Sequence, residues 1–84
     1  MHRVEFLPSA ARQLAKLDRA VQHRIAARVD ALAGDPRRVG SVKLRGTDDV
    51  WRSQVGDYRI LYQLLDDRLL VLVIRIGHRR DVYR

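Results

Sequence analysis

The sequence predicts an α+β fold in which an N-terminal strand and a two-helix antiparallel hairpin pack on a C-terminal, largely antiparallel β-sheet. Three observations carry that expectation. Apolar residues recur at helical spacing between Ala10 and Leu32, strand-like runs follow Val50, and Gly56-Asp57 sits between such runs as a hairpin turn. Helices gathered ahead of the strands, rather than alternating with them, give the α+β order.

Val4, Phe6 and Leu7 among charged residues read as a first strand over 1–7, halted at Pro8, whose missing amide hydrogen breaks a ladder. Ser9 is the expected N-cap of a first helix, with Ala10, Leu14 and Leu17 at helical spacing. Asp18 offers a second cap. From Arg19 to Ala33, Val21, Ile25, Val29 and Leu32 form one apolar stripe, and Gly34-Asp35-Pro36 ends the helix. So short a connection predicts a helical hairpin that lays both stripes on one face of a sheet.

Arg37 to Ser41 reads as a basic loop, Val42 to Arg45 as a short strand, Gly46 to Asp49 as a turn and Val50 to Val55 as a strand. Glycine first in Gly56-Asp57 is the type II′ pattern, and it sets a register. Val55 faces Tyr58, Gln54 faces Arg59, Ser53 faces Ile60, Arg52 faces Leu61 and Trp51 faces Tyr62. Alternation then puts Trp51, Val55, Tyr58, Ile60 and Tyr62 on a face for the helices and gathers Arg52, Gln54 and Arg59 on the other. Asp66-Asp67 makes the next turn, and Arg68 to Ile76 is apolar enough for a central strand.

A chain of 84 residues suits one domain spanning 1–84. With no cysteine, neither a disulfide nor a thiolate metal site is available, and the scattered histidines lack metal-ligand spacing, so no metal and no cofactor is expected. A reducing cytoplasm is the natural home. No leader pattern opens the chain, and the run Leu69 to Ile76 falls far short of the ~20 residues that span a bilayer, so no membrane partner is expected. The net charge of +7 favours polyanionic partners, nucleic acid or an acidic protein. All of the 17 basic residues except Lys16 and Lys43 are arginine, a choice that fits phosphate recognition and fits a GC-rich genome equally well.

RNA cleavage requires a proton taken from the 2′-hydroxyl, stabilisation of the phosphorane charge, and protonation of the leaving 5′-oxygen. Arg59, Arg79 and Tyr83 suit those tasks. Arg59 has an alternative as a partner of Asp57, which the expected clustering with Arg52 argues against. Arg79 and Arg80 follow a central strand directly, which holds them near the sheet; Tyr83 is as well suited to packing as to chemistry. His78 could carry a proton or remain a surface histidine. Trp51, Tyr58 and Tyr62 lie on the expected apolar face and read as packing rings. Glu5 is the sole glutamate and the paired aspartates fall in turns, so no catalytic carboxylate pair is present.

Taken together, Val42-Lys43-Leu44-Arg45-Gly46, Trp51-Arg52, Gly56-Asp57-Tyr58-Arg59-Ile60-Leu61-Tyr62 and Gly77-His78-Arg79-Arg80-Asp81-Val82-Tyr83 resemble RelE toxins of the RelE/ParE superfamily across essentially the whole chain. The resemblance implies a RelE-like fold and the toxin of a type II toxin–antitoxin pair, a ribosome-dependent endoribonuclease that cuts mRNA in the A site and inhibits translation. It implies a cognate antitoxin in an oligomeric complex, with ribosome and mRNA as targets. Arg52 lies where RelE toxins place a basic residue. Arg59 matches the arginine after Gly-x-Tyr, Arg79 the arginine two after the strand-end glycine, and Tyr83 the terminal tyrosine; these four are the expected catalytic residues. Lys43, Arg45, Gln54, His78 and Arg80 are expected to contact RNA or the ribosome. Gln54 departs from the pattern, standing where active relatives carry a second basic residue. The superfamily also contains ParE-like poisons of DNA gyrase without RNase activity, the alternative function.

Overall fold

The structure, a computed structural model, describes residues 1–78. Its elements are β1 (Arg3–Phe6), α1 (Pro8–Ala15), α2 (Arg19–Gly34), β2 (Val42–Lys43), β3 (Val50–Val55), β4 (Tyr58–Leu65), a 3₁₀ turn (Asp66–Arg68) and β5 (Leu70–His78). The strands form one five-stranded sheet in the order β1-β5-β4-β3-β2, antiparallel except for β1 beside β5. This is the expected α+β arrangement.

The first helix begins two residues earlier than its sequence suggests. Pro8 occupies its first turn, Leu7 is the N-cap without a side-chain cap, and Ala11 N donates to Leu7 O at 3.0 Å. Ser9 is therefore inside the helix rather than capping it, because proline brings a helical φ and needs no partner for an amide hydrogen it lacks. Asp18 does stand at the N-cap of α2, yet its side chain makes no capping hydrogen bond. Carbonyls at the end of α1 and in the link beyond it are instead met by Gln22, whose Nε2 donates to Leu14 O, Ala15 O and Leu17 O at 3.1, 3.2 and 2.9 Å. That one side chain ties the two helices together.

The stripe on α2 buries as its spacing predicts: Ile25, Val29 and Leu32 join Ala10 of α1 against Val55, Ile60, Tyr62, Leu64, Val71, Val73 and Ile76 of the sheet, with Trp51 and Tyr58 packed alongside. Both helices thus cover one face. The β3–β4 register is the expected one throughout, from Val55 opposite Tyr58 to Trp51 opposite Tyr62. Gly56 has φ +58° whereas Asp57 stays out of the positive region, the type II′ combination that matches the twist of the flanking strands.

The basic loop after α2 is pinned down. Arg37 hydrogen-bonds Asp66, lies 3.5 Å from Asp49 and stacks 5.7 Å over the Trp51 ring, while Trp51 Nε1 donates to Asp49 at 2.8 Å. Behind it the buried Tyr62 hydroxyl donates to Pro36 O at 2.6 Å. The turn aspartates, read as solvated, are partly recruited to this clasp.

Candidate functional site

The sheet has a second face. In an antiparallel pair, residues directly opposite share a face, so Arg52 of β3 lies beside Leu61 of β4, and Gln54 beside Arg59. Leu61 in turn faces Arg75 of β5, and Arg59 faces Gly77. Two rows result: Arg52–Leu61–Arg75, and next to it Gln54–Arg59–Gly77. Among the described residues neither helix packs here, since the helical side chains join the opposite face.

The hairpin that carries these groups is held from the other side. Arg28 of α2 donates through Nη1 to the buried Ser53 Oγ at 2.8 Å and to Gln54 O at 2.9 Å. Gln54 Nε2 folds over its own turn to donate to Gly56 O at 3.0 Å. An amide so engaged is neither base nor cation, so the charge on this face comes from guanidinium groups, which stay protonated and bind phosphate in a fork.

Of the residues expected to act together, the structure unites Arg52, Gln54 and Arg59. Lys43 pairs with Trp51 and so shares the helix side, its Nζ 3.9 Å from Asp49. Arg45 sits exposed in the turn after β2. His78 is opposite Tyr58, its ring 5.8 Å from the Tyr58 ring at 75°, again on the helix side. Arg79, Arg80 and Tyr83 lie outside the described residues. Arg75 was not among the expected site residues. The signal for it was an arginine inside an otherwise apolar strand, but its facing depends on a bulge that local spacing does not reveal.

Two ionisable groups near the clasp are perturbed. The hydrogen bond from Arg37, helped by His2, holds the Asp66 carboxyl below its usual range, and burial pushes the Tyr62 hydroxyl up. Both belong to the scaffold. Among the described residues, no group of three or more His, Cys, Asp or Glu could hold a metal ion, and no helix is long and apolar enough to cross a membrane.

Comparison with known proteins decides the family. The profile of the ParE toxin of type II toxin–antitoxin systems, parDE, matches residues 4–83. The chain belongs to the RelE/ParE family of type II toxins. Toxin RelG of Mycobacterium tuberculosis is 35% identical over 85 residues, covering 96% of this chain and 94% of that protein. The mRNA interferase toxin RelE of Escherichia coli is 29% identical over 84 residues, covering 95% and 87%. In the intact RelBE toxin–antitoxin complex of E. coli, a chain superposes with a TM-score of 0.84 at 26% identity, over 93% of this chain and 96% of that one. The RelE-like fold expected from the sequence is thereby shown.

Proposed function

We propose that this toxin is a ribosome-dependent endoribonuclease that cuts mRNA in the A site, acts in the cytoplasm, and is restrained by a cognate antitoxin in an oligomeric complex. The observation that carries the reading is the hairpin register, which sets Arg52, Gln54 and Arg59 side by side on a face without a helix among the described residues. The likeness to a relative named mRNA interferase supports it.

In this reading the RNA supplies its own nucleophile. The 2′-hydroxyl oxygen attacks the neighbouring phosphorus, its proton passes to a base, and the bond to the 5′-oxygen breaks as that oxygen takes up a proton. The products are a 2′,3′-cyclic phosphate, or the form that water opens from it, and a 5′-hydroxyl. Arg52 and Arg59 bind and neutralise the phosphate, Arg79 joins them on the developing phosphorane charge, and Tyr83 orients or protonates the reacting group. Lys43, Arg45 and Arg80 contact RNA or the ribosome. The His78 ring packs against Tyr58 on the other side of the sheet, which favours the ribosome as the source of proton removal and in-line positioning. Positioning of that kind lowers a barrier by roughly 7–11 kcal/mol.

Primer extension on mRNA with and without programmed ribosomes tests the reading: cleavage is expected only where ribosomes are present, and equal cleavage without them contradicts it. The family profile carries the ParE name, so a gyrase poison is the second reading. Intact mRNA together with blocked DNA supercoiling would replace the first by the second.

A further inference from the structure

Val71 and Val73 of β5 are fully buried against the helices, and strict alternation would send Arg75 into the core after them. The strand avoids this with a bulge. Tyr62 pairs with Val73, whereas the preceding Leu61 pairs with Arg75, so Ile74 is an extra residue on β5. Beyond the bulge Ile76 takes the core position, 2% exposed, and Arg75 emerges on the opposite face. Bulges of this kind re-aim side chains beside functional sites.

The re-aimed residue lands in the arginine row. Arg52 and Arg75 flank the buried Leu61 from the two neighbouring strands, about 10 Å apart between Cα atoms at the usual cross-strand spacing. Arg59 lies two residues along β4, about 7 Å from Leu61. This spacing suits an extended RNA strand crossing β3, β4 and β5, with successive phosphates met by different arginines. Gln54 is neutral and its amide is committed to Gly56, so β5 provides the further positive charge that β3 lacks.

The geometry points to Arg75 as an RNA-binding residue that holds a phosphate next to the scissile one. The assignment rests on the reading of this face as a ribonuclease site. Arg75 contributes substrate affinity, while Arg59 contributes to the chemical step.

The test measures binding of the full-length toxin to a short single-stranded RNA, made uncleavable by 2′-O-methyl groups, over a series of KCl concentrations. Wild type, Arg75→Ala, Arg75→Lys and Arg12→Ala are compared, Arg12 being exposed on α1. Circular dichroism and melting check each fold. One phosphate contact on a single strand contributes about 0.7 to the slope of log K against log salt. Arg75→Ala is expected to lose about that much slope and roughly tenfold in affinity at moderate salt. Arg75→Lys should restore the slope, and Arg12→Ala should leave it unchanged. If Arg75→Ala does not fold, Arg75→Gln removes the charge with most of the stem retained, and the same criterion applies. An unchanged slope in a folded Arg75 variant, or an equal loss in Arg12→Ala, overturns the assignment. Cleavage on programmed ribosomes, run in parallel, separates the two ideas: a wild type that cuts nothing removes the ribonuclease reading, whereas a cutting wild type matched by Arg75→Ala in both KM and salt slope removes Arg75 alone.

Discussion

Arg59 stands between Gln54 on β3 and Gly77 on β5, on the face that neither helix covers among the described residues. Replacing it with alanine is expected to slow cleavage on programmed ribosomes by about 10²-fold or more, the usual cost of losing a donor aimed at developing negative charge. The melting temperature, read beside the rate, should change little. Tyr62 is a residue of the opposite kind, buried and structural. Tyr62→Phe leaves Pro36 O without its donor and should cost about 1–3 kcal/mol in chemical denaturation. Its titration has a definite sign. Burial raises its folded-state pKa above 10.0, so the stability it contributes is complete below pH 10.0 and declines as pH rises from there through the higher folded value. Asp66 acts at the other end of the scale: Arg37 lowers its pKa from 3.8, so its contribution is present above that value and lost as pH falls through the lower folded one. Asp66→Asn should therefore flatten the acid limb of the stability profile, and an unchanged acid limb would show that the Arg37 contact contributes nothing.

At the level of elements, the helical hairpin depends on one polar side chain more than on its caps. Gln22 meets carbonyls of α1 and the link beyond it, where neither Ser9 nor Asp18 makes a capping bond. Gln22→Ala is predicted to destabilise the fold by about 1 kcal/mol, with Asp18→Ala nearer to neutral; urea titration of the two variants orders them. The β3–β4 turn carries a backbone requirement instead. Gly56 sits at φ +58°, and an added Cβ would come 2.8 Å from Arg24 Nη2, the movable end of a long side chain. The cost of Gly56→Ala is then mainly backbone strain, about 1–2 kcal/mol. Because that turn sets the register of Arg52, Gln54 and Arg59, activity should fall further than stability alone accounts for.

For the whole molecule, the net charge is +7, and three of its arginines share one face of the sheet. The clasp pairs Arg37 and Lys43 with Asp49 and Asp66, and Arg52, Arg59 and Arg75 lie together on the face that neither helix covers among the described residues. RNA association should accordingly weaken steeply with ionic strength, by about 0.7 in log–log slope for each phosphate neutralised. Affinity independent of salt would contradict a phosphate-driven face.

Much of this was legible in the chain alone. The stripe Val21, Ile25, Val29 and Leu32, the strands on either side of Gly56-Asp57, and the register that joins Arg52 to Gln54 and Arg59 all follow from period and turn chemistry, which act over a few residues. The RelE-like motifs identified the family for the same local reason. Other features depended on contacts between distant segments: β1 beside β5, Arg37 drawn onto Trp51, Asp49 and Asp66, and the placement of Lys43 and His78 on the helix side. The bulge at Ile74 belongs with them. Only the need of Val71, Val73 and Ile76 to fill one core, with an arginine kept out of it, decides that Arg75 joins the other arginines.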